Sequence, residues 1–179
     1  MFYAAYYQAP IGKLTLVSDG NSLIGLWLEN QKYYAATVDG ELCEKADLPV
    51  FATVRKWLDA YFRGENPAIS DLHLAPKGSA FRQEVWEILC KIPKGEVMTY
   101  GGIAALLARK KGRKAMSAQA VGGAVGHNPI SVIIPCHRVV GSNGSLTGYA
   151  GGLDVKIKLL KHEGVDMSSF FRPTKGTAL

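Results

Sequence analysis

The sequence predicts an α+β protein. It has a small N-terminal antiparallel-sheet domain with one helix, then a mainly helical C-terminal domain containing a helix-turn-helix. Three observations predict it. Residues 2–28 hold short aromatic or alternating apolar runs broken by turn signals. From residue 79 onward, apolar residues recur at helical spacing. The charge also changes sign: residues 1–76 carry six Lys/Arg and nine Asp/Glu, residues 77–179 fifteen and six. The boundary is therefore placed near 76, giving domains 1–76 and 77–165 and a tail 166–179.

Each element has a local reason. "FYAAYYQ" is extended, "APIG" punctuates, "KLTLVSD" alternates, "GN" turns and "SLIGLWLE" is a further apolar run, which together read as a three-stranded meander. Residues 31–48 read as irregular. Over 48–67, Val50, Val54, Trp57, Leu58 and Tyr61 fall at helical spacing until Gly64 and Pro67 stop the helix. "ISDLHLAPKG" reads as a connector. Ser79 is an N-cap candidate for a helix through Leu89, and Thr99 for one running into "RKKGRK". "SAQAVGGAVGHNP" reads as a short helix of small residues ended by Asn128-Pro129. Two helices around a link give the helix-turn-helix outline, with a link longer than usual. A loop over 141–152 precedes a last helix, 153–164.

Composition limits the function. Apolar content of 47% and charged content of 20% suit a globular core. No apolar stretch approaches the ~20 residues of a membrane span, so no membrane partner is expected. The start lacks a basic region followed by an apolar run, so no secretory leader is expected. Cys43, Cys90 and Cys136 are odd in number and widely spaced, which argues against a disulfide framework and a zinc site. These features predict a cytoplasmic protein with no metal and no cofactor. The basic second half predicts a polyanionic partner.

The chemistry concentrates at "IPCHR", where an apolar run from Ile130 meets Pro135, Cys136, His137 and Arg138. Positive or proton-accepting neighbours favour a thiolate, and a thiolate is a strong nucleophile. Neighbouring residues on a strand face opposite ways. Cys136 and His137 therefore cooperate only if the chain turns at Pro135 or a water bridges them. Glu163 is the candidate to orient the histidine. A buried, inert cysteine has the same local signature, so local chemistry leaves both readings open.

"IPCHRVVGSNGSLTGYAGG" with "LLKHEG", "FRQEVWEILCKIPKGEVMTYGGIA" and "AVGGAVGHNPISVIIPCHR" resembles the O6-alkylguanine-DNA alkyltransferases, the methylated-DNA–protein-cysteine methyltransferases, over residues 78–165 at least. The first half is similar to that family's smaller N-terminal domain. The resemblance implies a monomeric protein acting on double-stranded DNA that carries an alkylated base. The base is flipped and its alkyl group moves irreversibly to Cys136. His137 takes the thiol proton through a water, Glu163 holds the imidazole, and Tyr100 contacts the guanine. The base pocket comprises Val139, Tyr149, Ala150, Gly151 and Asn128, the last tying the recognition helix to the active-site strand. DNA contacts are expected from Gln119, Ala120, Gly122, Gly123, Arg113, Lys114 and Arg138. The family often has an arginine wedge where this chain has Gln119, which supplies no charge. The residues of the zinc site found in some members are absent. Alkyltransferase-like sensors, which bind lesions without repairing them, lack the cysteine, so Cys136 favours transfer.

Overall fold

The computed structural model describes residues 1–174; the last part of the expected tail, 175–179, lies outside the described residues. The chain divides into two compact units, Met1–Lys77 with Pro129–Ile133, and Gly78–Asn128 with Ile134 onward.

In the first unit, β1 (Phe2–Ala9), β2 (Gly12–Ser18) and β3 (Leu23–Leu28) form the meander. A fourth strand, β4 (Leu42–Glu44), pairs with β1 in parallel, giving the order β3-β2-β1-β4. The sheet is therefore mixed, with one strand more than the sequence predicts. β4 is three residues long and wholly exposed, so it has no alternation of burial to mark it. Helix α1 (Pro49–Phe62) starts with proline in its first turn, where the missing N–H costs no helical bond. Its buried stripe is Phe51, Val54, Trp57, Leu58 and Tyr61, so Phe51 replaces the expected Val50. Tyr7 of β1 donates to Asp59 at 2.7 Å and stacks on Phe62, which places α1 over that sheet face. Leu14, Leu16, Leu26 and Leu28 of β2 and β3 are buried, each contributing about 1.5–3 kcal/mol of hydrophobic stabilisation. A separate cluster of Val17, Ile24 and Trp27 takes Phe2 and Val38 against it.

In the second unit, α2 (Ala80–Leu89), α3 (Tyr100–Lys110), α4 (Ala118–Gly126) and α5 (Leu153–His162) surround a short parallel pair, β5 (Met98–Thr99) and β6 (Val139–Val140). The side chains of Ser79, Thr99 and Ser117 cap α2, α3 and α4, each accepting a backbone N–H that the first turn leaves unpaired. Helices α3 and α4 pack on each other, and both pack on α2. Trp86 of α2 donates to the Ala124 carbonyl of α4 at 2.9 Å.

The apolar run ahead of Cys136 is not a strand. It makes one isolated bridge, Leu26 to Ile130, then turns, with Val132 at φ 70°. Its burial therefore reflects packing on several sides of a turn rather than one face of a sheet.

Candidate active site

Pro135 turns the chain, and Cys136–Arg138 form one turn of 3-10 helix. The turn required for Cys136 and His137 to cooperate is therefore present. All three side chains are buried. Asn128, just beyond α4, donates from Nδ2 to the Ile134 carbonyl at 2.8 Å and also hydrogen-bonds the Cys136 side chain.

Glu163, at the C-cap of α5, organises the turn. Its Oε1 meets His137 Nε2 at 2.6 Å. Arg138 donates to the same carboxylate from Nε at 2.8 Å and from a terminal nitrogen at 3.0 Å. Its other terminal nitrogen donates to the Ile92 carbonyl at 2.5 Å. Arg138 was expected at the DNA surface. Instead it is buried, with its guanidinium committed to Glu163 and the chain end of α2, because an unpaired Glu163 charge here would be costly.

Burial would raise the Glu163 carboxyl, but hydrogen bonds from His137 and Arg138 outweigh it and hold the group well below the usual carboxylate range. Burial lowers the His137 pKa, against the pull of Glu163. The resting pair is thus a carboxylate and a neutral imidazole. With Nε2–H donated to Glu163, Nδ1 carries the lone pair; it is buried and has no hydrogen-bond partner within the protein.

Burial also raises the Cys136 thiol, while the Asn128 hydrogen bond and the Lys156 charge pull it back without reversing the shift. Local sequence chemistry left a neighbour-favoured thiolate and a buried thiol both open. In the fold, desolvation dominates and favours the protonated thiol at rest.

Sequence reasoning missed Lys156. Its side chain is fully buried in α5, and Nζ donates to the carbonyls of Val139 at 2.5 Å and Thr147 at 2.8 Å. Burial brings its pKa down to about 8. The Thr147 carbonyl also accepts from the Tyr100 hydroxyl at 2.9 Å. Burial pushes the Tyr100 phenol up to about 12. Lys156 had a legible signal: with Leu159, Leu160 and Glu163 it marks a buried stripe at i, i+3, i+4 and i+7.

The structure thus links Asn128 to Cys136, Glu163 to His137, and Lys156 to the Val139 and Thr147 carbonyls, the latter shared with Tyr100. Tyr149, Ala150 and Gly151 lie in the loop that follows Thr147, Tyr149 buried and the other two half-buried. Gln119, Ala120 and Gly123 lie on the exposed side of α4, and Arg113 and Lys114 in the exposed loop before it. Gly122 touches the site side: a Cβ there would sit 3.7 Å from the Tyr100 ring. Lys110 and Lys111 pair with Glu87 and Glu84 of α2. Among the described residues, no three His, Cys, Asp or Glu side chains converge as metal ligands would, and no helix is long and apolar enough to cross a membrane.

Comparison with known proteins covers most of both units. Residues 80–165 match the family described as "6-O-methylguanine DNA methyltransferase, DNA binding domain", and residues 2–76 match its "ribonuclease-like domain". A methylated-DNA–protein-cysteine methyltransferase of Haemophilus influenzae is 42% identical over 161 residues, covering 90% of this chain and 86% of that protein. One from Methanosarcina acetivorans is 38% identical over 90% of this chain and 98% of its own. The crystal structure of Mycobacterium tuberculosis OGT in complex with DNA superposes with a TM-score of 0.78 at 38% identity, covering 90% of this chain and 93% of that one. With both units matched and the cysteine turn built as described, this chain belongs to the 6-O-methylguanine DNA methyltransferase family.

Proposed function

We propose that this protein repairs DNA directly, moving the alkyl group of O6-alkylguanine, and of O4-alkylthymine, to its own Cys136 in a single irreversible turnover. It acts as a cytoplasmic monomer on double-stranded DNA and needs no cofactor. The carrying observation is the buried cysteine turn, where Glu163 fixes His137 with Nδ1 as the basic nitrogen.

A base inside a duplex is unreachable, so it must be flipped. Helix α4 of the proposed helix-turn-helix supports close approach to DNA. It carries glycines at 122, 123 and 126, and a Cβ at 123 or 126 would meet nothing within 4 Å. Internal packing does not demand those two glycines, although helix-interior glycine costs about 0.5–1 kcal/mol relative to alanine. The requirement then comes from outside the protein, and a DNA minor groove supplies it. Gln119 fills the space left by the flipped base, and Arg113 and Lys114 grip phosphates.

In the pocket, the Cys136 proton passes through a water to His137 Nδ1, and Glu163 stabilises the imidazolium. The Lys156 charge favours the thiolate as it forms. The sulfur–carbon bond forms as the carbon–O6 bond breaks, leaving negative charge on the guanine. Tyr149 and the Ala150 N–H face that oxygen, with Gly151 completing the wall. Tyr100, a protonated donor, exchanges the Thr147 carbonyl for the departing base. The carbonyls of Cys136 and Val139 accept from the exocyclic amine; the Val139 oxygen has a second lone pair beside the one used by Lys156. The thioether product is stable, and no group in the site is suited to cleaving it.

The test is intact mass after mixing with duplex DNA bearing one O6-methylguanine, followed by peptide mapping. One methyl on the Cys136 peptide, saturating at one per protein, is expected. Tight lesion binding with no mass gain would replace this reading with a non-repairing sensor.

A further inference from the structure

We propose that the C-terminal segment Asp166–Arg172 is a positioning strap for the loop 141–152, and that it sets how accurately the base pocket holds its substrate. The inference rests on the function proposed above, which places Tyr149 and Ala150 of that loop at the guanine oxygen. The segment lies beyond the residues matched to the family, which end at 165.

The loop's internal bonds are short-range turns: Gly144 N–H to the Gly141 carbonyl at 3.0 Å, Ser145 N–H to Asn143 at 3.1 Å and Gly152 N–H to the Tyr149 carbonyl at 3.0 Å. The loop contains glycines at 141, 144, 148, 151 and 152 and forms no helix or strand of its own. Gly141 N–H to the Ser145 carbonyl at 2.8 Å closes a turn at its start. The strap adds backbone ties across Gly144–Leu146. Leu146 N–H donates to the Phe171 carbonyl at 2.9 Å, and Phe171 N–H donates to the Gly144 carbonyl at 3.1 Å, making a parallel bridge between Ser145 and Phe171. Met167 and Phe170 pack against the buried cluster of Val140, Leu146 and Leu160. Arg172 pairs with Asp154 in the first turn of α5.

The approach is close enough to fix residue type. Gly144 has φ +87°, and a Cβ there would collide with the Ser169 carbonyl. The strap therefore clamps the chain through Leu146. The next residue, Thr147, presents the carbonyl shared by Tyr100 and Lys156, and Tyr149 follows two residues later. Strap, acceptor and pocket wall lie within four consecutive loop residues, so a displacement at Leu146 passes to the groups around the base. Misplacing catalytic groups by about 1 Å can cost about 100-fold in rate.

The Phe171 side chain is exposed, so its backbone does the work. This separates the variants. Phe171→Pro removes the N–H given to Gly144, and Gly144→Ala forces the strap away from the loop. Phe171→Ala keeps both backbone bonds, and Arg172→Ala removes only the exposed ion pair. For the full chain, single-turnover methyl transfer at saturating protein would be measured with duplex affinity and hydrogen exchange over 142–150.

Phe171→Pro and Gly144→Ala are expected to speed exchange in the loop and lower the maximal transfer rate about tenfold or more, with duplex affinity unchanged. Phe171→Ala should match the wild type, and Arg172→Ala should fall between. Faster loop exchange with an unchanged transfer rate would overturn the strap while leaving the repair function standing. So would a parallel fall in duplex affinity and rate, which marks general loss of structure. Absence of methyl uptake by the wild type would overturn the proposed function and this inference with it.

Discussion

Glu163 and His137 meet at 2.6 Å with both side chains shielded from water, and Arg138 closes on the same carboxylate. One group thus holds the His137 ring and neutralises a buried cation.

Replacing Glu163 separates these roles. Glu163→Gln is expected to slow transfer about 10²–10⁴-fold, because an amide does not stabilise the imidazolium. It should also destabilise the fold by about 3 kcal/mol, because the Arg138 charge stays buried without its counter-charge. Single-turnover rates and urea unfolding report the two losses.

Stability should fall in acid in two stages. The His137 pKa is lowered from 6.5 by burial, so the unfolded chain binds more protons below that value. Its contribution is present above pH 6.5 and is lost as pH falls. The Glu163 pKa is lowered from 4.5 despite burial, by its partners. Its contribution is present above pH 4.5 and is lost below. Thermal midpoints should therefore decline below pH 6.5 and more steeply below 4.5, and Glu163→Gln should remove the second stage. An unchanged profile in that variant would assign the acid loss to other groups.

The transfer rate should show a different limit in alkali. Lys156 titrates at about 8, so its support for the thiolate fades as pH rises through that value. Lys156→Met is expected to lower the rate at pH 7 and abolish the alkaline decline. A decline surviving in the variant would belong to another group.

Helix α4 offers a test of DNA approach. Gly123→Ala should stabilise the free protein by about 0.5–1 kcal/mol and weaken duplex binding, as read by thermal melts and titration. Stabilisation with undiminished binding would mean that α4 does not lie against DNA. Gln119→Arg should change the transfer rate, and no change would remove the wedge role.

Arg113 and Lys114 should act through phosphates. Neutralising either is expected to reduce the salt slope of duplex binding by about one without altering Cys136 alkylation by iodoacetamide. An unchanged slope would move the DNA surface elsewhere.

Much of this was legible in the sequence. Ser79 and Thr99 begin their helices as their side chains predict, and Glu163, the candidate to orient the histidine, meets His137. The misses share a physical cause, which is that local pattern does not report tertiary pairing. β4 is an exposed edge recognised only by its partner, β1. The apolar run before Pro135 is buried without being extended. Arg138 looks like a surface cation because its acceptors, Glu163 and Ile92, are remote in sequence; the place of Lys156 on the buried stripe of α5 was legible, but its acceptors, Val139 and Thr147, were not. The 166–172 segment was silent because its ties to the loop include backbone bonds that no residue type encodes.

If Cys136 is spent in the single turnover proposed above, its resting state has a further consequence. Only 4% of the residue is exposed, and burial keeps its thiol protonated. Peroxides and cellular disulfides attack thiolates they can reach. A permanently charged, open sulfur would be spent on them, and each such encounter would waste an entire protein molecule. Burial instead gives the molecule a long shelf life: its reactivity is released where a substrate, a base and a neighbouring charge coincide.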